Sequence, residues 1–390
     1  MHSTTVTRRG VMRAASALTI AGLAAAALAG CSGAAGASGA ASSIPKASAA
    51  VATSAADFGG MKGLVAAAEA EGKLNVITLP PTWANYGKII AGFRKKYPKI
   101  TITSQNPNGS SADEVAAIKS QGTGANAPDV VDIGTAVLNE NTDLFTPYKV
   151  ANWADIPDEY KDAGGLWYYD YTGLMSIGYD SSKVKAPTSI DDLLGSGYKG
   201  KVAIKGDPTQ ANEAASAVYL AAVQSGGSAD DVQPGIDFFG KLKKAGNLIS
   251  VLPTQATVNS GQTPVVVQWS FNNVAWGAAG GSTGNPSWKT VILPGTAIGS
   301  YYNQSINKDA PHPAAARLWQ EYLYSPEVQN LYLAAGAYPA TLKAMTDAKT
   351  VDDAVLKSVG EPPADLVQLT ADQATKAAGV LKSGWSKAIG

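Results

Sequence analysis

KLNVITLPPTWANYGKIIAGFRKKYP, residues 73–98, decides how this chain is read. Lys73 to Leu79 is a short apolar run with β-branched residues, ended by Pro80-Pro81, and reads as a buried strand. Tyr86, Ile89, Ile90, Phe93 and Tyr97 then recur at helical spacing until Pro98 stops them. Two similar units follow. Lys99 to Thr103 alternates as a strand, and Ser111-Ala112-Asp113-Glu114 forms a capping box that opens a helix. Asp129 to Ile133 reads as a third strand, closed by Gly134. Three βα units in a row predict an α/β fold with parallel strands and right-handed crossovers.

A second set starts at Trp167-Tyr168-Tyr169-Asp170-Tyr171, which leads into the strand-like Leu174 to Tyr179. Lys201 to Lys205 and Pro264 to Gln268 read as strands, Thr209 to Gln224 and Pro234 to Ala245 as helices. Trp288 to Leu293 and Ile298 to Ile306 read as extended, and Pro313 opens a helix with Ala315, Leu318, Trp319, Tyr322 and Leu323 on one face. The tail from Met345 is weakly patterned.

Upstream, Arg8, Arg9 and Arg13 precede an apolar stretch from Ala14 to Ala29, and Leu28-Ala29-Gly30-Cys31 follows. This is the order of a secretory signal, here residues 1–30. Thr7 to Arg13 also fits a twin-arginine export signal, with Val11 where Phe or Leu is usual. Residues 32 to 56 are almost wholly Ala, Ser and Gly, and segment 31–56 reads as a flexible linker. Removing the signal takes away three Arg and no acid, leaving 28 basic against 31 acidic residues. That balance gives no basic stripe for nucleic acid. No apolar run after Cys31 is long enough to span a bilayer.

Four stretches carry a family resemblance. Leu74-Asn75-Val76-Ile77 before a helix ending Phe93-Arg94-Lys95-Lys96-Tyr97-Pro98 is similar to the opening of bacterial extracellular solute-binding proteins. Ala127-Pro128-Asp129-Val130-Val131 resembles their third strand, and Tyr198-Lys199-Gly200-Lys201-Val202 the start of their second lobe. Lys308 to Pro313 through Tyr324-Ser325-Pro326-Glu327 resembles their late helix pair. The nearest cluster serves ABC importers of polyamines, ferric iron, thiamine and aminophosphonates. Resemblance to the bacterial lipobox adds lipid on Cys31.

The resemblance implies a type II periplasmic-binding fold: two lobes, each a mixed, mainly parallel sheet flanked by helices, joined by two hinge-crossing strands. The crossings fall near Asp170 to Gly178 and Ile298 to Ile306. Lobe one then takes 57–170 and 300–345, lobe two 175–297, and the tail 346–390 packs on lobe one. A monomer, tied by lipid to the outer face of the membrane, would pass a small solute to permease subunits.

In open α/β sheets ligands sit beyond the carboxyl ends of strands. That rule selects Pro80 to Tyr86, Asn106 to Ser111, Gly134-Thr135, Gly206 to Thr209 and Gln268 to Asn272. Trp83 and Tyr86 resemble a Trp-x-x-Tyr of the polyamine binders, where aromatic faces attract ammonium; Tyr86 equally fits the helix core. Trp269 resembles a ligand-packing Trp of those binders, though Phe271 stands where they carry Asp. Asp170, beside Tyr171, and Asp207 could neutralise a cation, while Asp207-Pro208 also fits a helix cap. Gly109 and Ser110 precede a helix start that favours an anion. Gln268 and Thr135 complete the strand-end set. Tyr301-Tyr302 resembles the paired tyrosines of ferric-iron binders, but on a strand the two rings face opposite ways, and Tyr301 is taken as the ligand-facing one.

No zinc spacing, phosphate loop or cofactor motif is present. Gly280 to Gly284 has the letters of a nucleophile elbow without its strand and helix. Gly122-Thr123-Gly124 follows a helix rather than a strand, so its dinucleotide-loop likeness is empty. The leading expectation is a non-enzymatic receptor for a polyamine-like cation or zwitterion. Alternatives are a ferric-iron binder, an aminophosphonate or organic-anion binder, and an exported carbohydrate-active enzyme using Asp170 and Asp207.

Overall fold

A computed structural model describes residues 45–278 and 285–390. The signal stretch, Cys31, most of the Ala/Ser/Gly segment and the Gly280 to Gly284 loop lie outside the described residues. In chain order the first elements are α1 (Lys46–Val51), α2 (Met61–Glu71), β1 (Lys73–Ile77), α3 (Tyr86–Lys96) and β2 (Thr101–Gln105). Next come α4 (Ser111–Gln121), β3 (Val130–Gly134), α5 (Thr135–Asn139), β4 (Phe145–Thr146) and the long β5 (Tyr168–Asp180). Then follow β6 (Val202–Ile204), α6 (Asn212–Gln224), α7 (Gln233–Lys244), α8 (Gln255–Asn259), β7 (Val265–Trp269), α9 (Ser270–Ala278) and β8 (Trp288–Val291). The chain returns through β9 (Ile298–Asn307) to α10 (Pro313–Leu323), α11 (Pro326–Ala334), β10 (Tyr338–Pro339), α12 (Leu342–Asp347), α13 (Asp353–Val359), β11 (Val367–Gln368) and α14 (Ala371–Ile389).

The opening stretch folds as its pattern requires. β1 pairs in parallel with β2, from Lys73 opposite Thr101 to Ile77 opposite Gln105. The stripe of α3 buries Tyr86, Ile89, Ile90 and Phe93, and Arg94, Lys95 and Lys96 sit in its last turn, where the helix dipole favours cations. Phe93 meets Trp319 and Tyr322 of α10 at ring-centroid distances of 5.2 and 5.3 Å. Glu71 of α2 accepts from the backbone N–H of Ala314 at 3.0 Å and Ala315 at 2.8 Å, satisfying donors at the start of α10.

β5 and β9 are the long strands that join the two sides of the α/β body. β5 pairs with β9 over Tyr168–Leu174 and with β7 over Met175–Tyr179. β9 continues to pair with β3, from Gly134 opposite Tyr302 to Val130 opposite Ile306. These pairings are antiparallel, because one strand carries the chain out and the other brings it back. Parallel pairs also occur on each side, β1–β2 on the first and β6–β7 on the second. The capping box of α4 starts one residue earlier than expected: Ser110 is the N-cap and Asp113 its partner.

Two segments differ from the sequence reading. Residues 46–56 are not a free linker: α1 forms, and Ala49 and Ala52 are buried. Arg317, wholly buried on α10, explains this. Its Nε donates to the Ala52 carbonyl and its Nη2 to the Ala50 carbonyl, each at 2.8 Å. The tail does not pack on one lobe alone. In α14, Trp385 meets Phe239 of α7 at 5.5 Å, while Asn139 of α5 donates to the Ala371 carbonyl at 3.2 Å. The helix carries buried residues at Ala374, Ala377, Leu381 and Trp385, a stripe that reaches both neighbours.

Candidate functional site

A cavity of about 260 Å³ opens between the loops after β1 and β2 and the segment joining β6 to α6. Trp83, Asn108, Gly109 and Ser110 line the first side; Lys205, Asp207 and Glu213 line the second; Asp132 of β3 and Tyr302 of β9 lie in its wall. A further hollow of about 230 Å³ shares Trp83, Asn108 and Lys205 and extends to Thr254, Asn272 and Trp276. Among the described residues, four carboxyl side chains, Asp113, Asp132, Asp207 and Glu213, line the main cavity against one lysine. The cavity is therefore an acidic one with aromatic walls.

Trp83 is set on a kinked loop. Thr78, Ala84 and Asn85 around it hold positive φ values of 55°, 41° and 64°, a region that disfavours side chains. The contacts nearby hold this geometry: Thr78 Oγ1 donates to Glu114, and Asn85 Nδ2 donates to the Leu331 carbonyl at 2.7 Å. The indole meets Phe271 and Tyr302 edge to face, at 5.4 and 5.5 Å. Its Nε1 donates to the hydroxyl of Tyr171.

Asp132 lies at the back. Its Oδ2 accepts from Tyr86 at 2.9 Å and from Tyr171 at 3.0 Å, while its Oδ1 is buried without a partner. Burial raises its carboxyl pKa to about 7, against the opposing pull of the two hydroxyls. Glu213, on the opposite wall, repeats the arrangement. Its Oε1 accepts from the backbone N–H of Trp269 and from Asn272 Nδ2, both at 3.0 Å, and its Oε2 has no partner. Burial raises the Glu213 carboxyl, and the nearby Lys205 ammonium draws it back. The Lys205 Nζ lies between two indoles, 5.4 Å from the ring centre of Trp83 and 5.2 Å from that of Trp276.

Of the residues expected at the site, Trp83, Gly109, Ser110 and Asp207 line the cavity. Ser110 is also engaged by its own helix, its N–H donating to Asp113 Oδ2 at 2.7 Å. Asp207 Oδ1 accepts from the backbone N–H and hydroxyl of Thr209, both at 2.8 Å, so it also ties its own loop. The others stand behind the wall. Tyr86, Asp170 and Tyr171 are fully buried and support Asp132 from the rear. Asp170 Oδ2 accepts from Gln304 Nε2 at 2.8 Å, and burial with the neighbouring Asp132 charge holds its carboxyl well above the usual range. Gln268 Nε2 donates to Asn273 Oδ1 at 2.7 Å. Trp269 stacks on Phe271, with Nε1 donating to Tyr302. Thr135 Oγ1 accepts from Asn303 Nδ2 at 3.0 Å.

Tyr301 lies off the cavity. Its ring stacks on Tyr169 at 4.9 Å, on the face of β9 turned from the cavity, and Tyr302 takes the cavity side. Register against β3 decides this, and it is not visible in the strand alone. Asp132, Lys205, Glu213 and Tyr302 line the cavity beyond the expected set. A carboxylate within the apolar run Val130-Val131-Asp132-Ile133 was the available signal, since a buried charge needs a reason. Among the described residues, no cluster of three or more His, Cys, Asp or Glu side chains could hold a metal ion.

The sequence matches the family of bacterial extracellular solute-binding proteins over residues 128–361, more than half of the chain. No curated protein sequence is recognisably similar. Many solved structures share the fold. An ABC transporter substrate-binding protein from Bradyrhizobium japonicum USDA 110 is 17% identical, with a TM-score of 0.62 over 82% of this chain and 100% of its own. AgtB from A. tumefaciens R10, solved with agropinic acid, is 16% identical, with a TM-score of 0.63 over 82% of this chain and 98% of its own. Iron-bound HitA from Pseudomonas aeruginosa is 17% identical, with a TM-score of 0.59 over 81% and 99%. The fold is thus the type II periplasmic-binding one.

Proposed function

As the chain belongs to the bacterial extracellular solute-binding family, we propose that it captures a small solute bearing at least one ammonium group and delivers it to an ABC permease. The family places its work outside the cytoplasm and makes it a binder rather than an enzyme. One observation carries the ligand class. Asp132 and Glu213, from opposite walls, each have one oxygen held from behind by two donors and the other unpartnered. An unpaired buried carboxylate is costly, and an ammonium ion would satisfy it by a charge-assisted bond. Trp83 and Tyr302 add π-faces of the kind that attract such a cation.

Lys205 lets a zwitterion fit as well, taking its anionic end while the carboxylates take the ammonium. The lobes, 57–170 with 300–345 and 175–297, close about β5 and β9 in this reading, as hinge proteins do. Cys31 carries the lipid, the twin-arginine route is open to the signal, and the receptor acts as a monomer.

Calorimetric titration of the purified full chain tests the ligand class. Spermidine, an aminophosphonate, thiamine and ferric citrate form the panel. Binding of an amine-bearing member with micromolar affinity or better is expected. Binding of ferric citrate alone would overturn the reading.

A further inference from the structure

Asp132 and Asp170 share one phenol. Tyr86 Oη lies 2.9 Å from Asp132 Oδ2 and 3.4 Å from Asp170 Oδ2, and it can donate to one of them at a time. Tyr332 Oη in turn donates to Tyr86 Oη at 3.1 Å. Asp170 is sealed from solvent, whereas Asp132 lies in the cavity wall. Asp132, Asp170 and the equally buried Glu114 cluster together, and among the described residues no ammonium or guanidinium bonds to any of them, so on the acid side of neutrality Asp132 as well as Asp170 keeps a proton while the cavity is empty.

The other groups facing Asp132 reinforce this. They are Tyr171 of β5, Glu114 of α4, Tyr302 of β9, Tyr324 at the end of α10 and Tyr332 of α11. None is cationic. Glu114 is itself buried with an unpartnered Oε2, and its Oε1 accepts the backbone N–H of Asp132 at 3.3 Å. Lys205 lies in the same cavity, lodged between its two indoles.

We propose that Asp132 binds the ligand's ammonium group by giving up a proton to solvent, so that cation capture is coupled to proton release. The inference rests on the cationic reading above. Asp170 acts through Asp132 and is a positioning residue.

The sign follows from the raised carboxyl of Asp132. Its proton is bound more tightly in the folded chain than in the unfolded one, where Asp titrates near ~3.9. The stabilising effect is complete below that pH and fades as pH rises through about 7. Amine affinity runs the other way, weakening about tenfold per pH unit below the midpoint.

The test has two arms on the full chain. Thermal unfolding of the ligand-free wild type and Asp132→Asn is followed from mildly acid to mildly alkaline pH. The wild type is expected to lose stability relative to the variant across neutrality; parallel profiles would overturn the retained proton. Spermidine is then titrated in two buffers of different ionisation enthalpy on the acid side of neutrality. Release of close to one proton per spermidine is expected, and none in Asp132→Asn. Binding without release would overturn the coupling alone. No spermidine heat, beside the expected stability profiles, would overturn the cationic reading and the coupling with it. If Asp132→Asn fails to fold, Tyr86→Phe serves: losing one donor to the carboxylate moves the affinity midpoint upward, and an unmoved midpoint overturns the proposal.

Discussion

Gly134 at the end of β3 and Asn212 at the start of α6 meet so closely that a Cβ on the glycine would stand 2.5 Å from the asparagine Cβ. The absence of a side chain there lets the first side of the body touch the second just beside the cavity. Asn212 also donates through Nδ2 to Ser300 on β9 at 3.2 Å, so the contact is tied to a crossing strand.

Gly134→Val is expected to wedge this contact apart. Overpacking of this kind costs about 1–3 kcal/mol. Amine affinity should fall about tenfold by calorimetry, because the walls that carry Asp132 and Glu213 no longer meet the ligand together. Unchanged affinity would show that this contact plays no part in closure.

Trp83 serves packing and the cavity at once, and two variants separate these roles. Trp83→Ala removes the contacts to Phe271 and Tyr302, and should lower both stability and affinity, by about 2–3 and 1–2 kcal/mol. Trp83→Phe keeps a smaller π-face and loses the bond to Tyr171. Denaturant melts should show most of the stability restored, with affinity intermediate.

Lys205 competes with a bound cation. Lys205→Met removes the one positive side chain that lines the main cavity among the described residues and should raise spermidine affinity several-fold, about 1 kcal/mol for a partly screened charge. Because Lys205 counters the effect of burial on Glu213, its loss moves that carboxyl further upward. The affinity gain should therefore shrink in mild acid. A zwitterion that lost affinity in the same variant would identify Lys205 as its anion site.

Arg317 anchors the N-terminal segment. With the guanidinium buried and bonded to the Ala50 and Ala52 carbonyls, Arg317→Met leaves those acceptors unsatisfied and should cost about 2–4 kcal/mol. Limited proteolysis should then cut near Val51, an exposed apolar residue beside the freed segment. Protection as in the wild type would contradict the anchoring role.

The sequence made the frame legible because periodicity is local. Strand β1, helix α3 and the Pro313 start of α10 each follow from spacing within a dozen residues. The loops at the strand ends were also legible, which is why Trp83, Gly109, Ser110 and Asp207 were found at the cavity. Glu213 looks ordinary in a helix first turn, and Asp132, though conspicuous as a carboxylate in an apolar strand, shows no ligand role within that strand. What distinguishes them is the pair of donors brought to each from distant parts of the chain. Tyr302 depended on register against β3. Residues 46–56 looked like linker because Ala and Ser carry no pattern, and the guanidinium that orders them lies more than 260 positions away.

A crystal structure of the full chain with spermidine tests the central claim most directly. An ammonium nitrogen is expected within about 3 Å of Asp132 Oδ1, against the indole of Trp83, with Glu213 Oε2 facing it from the other wall. Spermidine bound elsewhere, with the Asp132 carboxylate still unpartnered, would contradict the account.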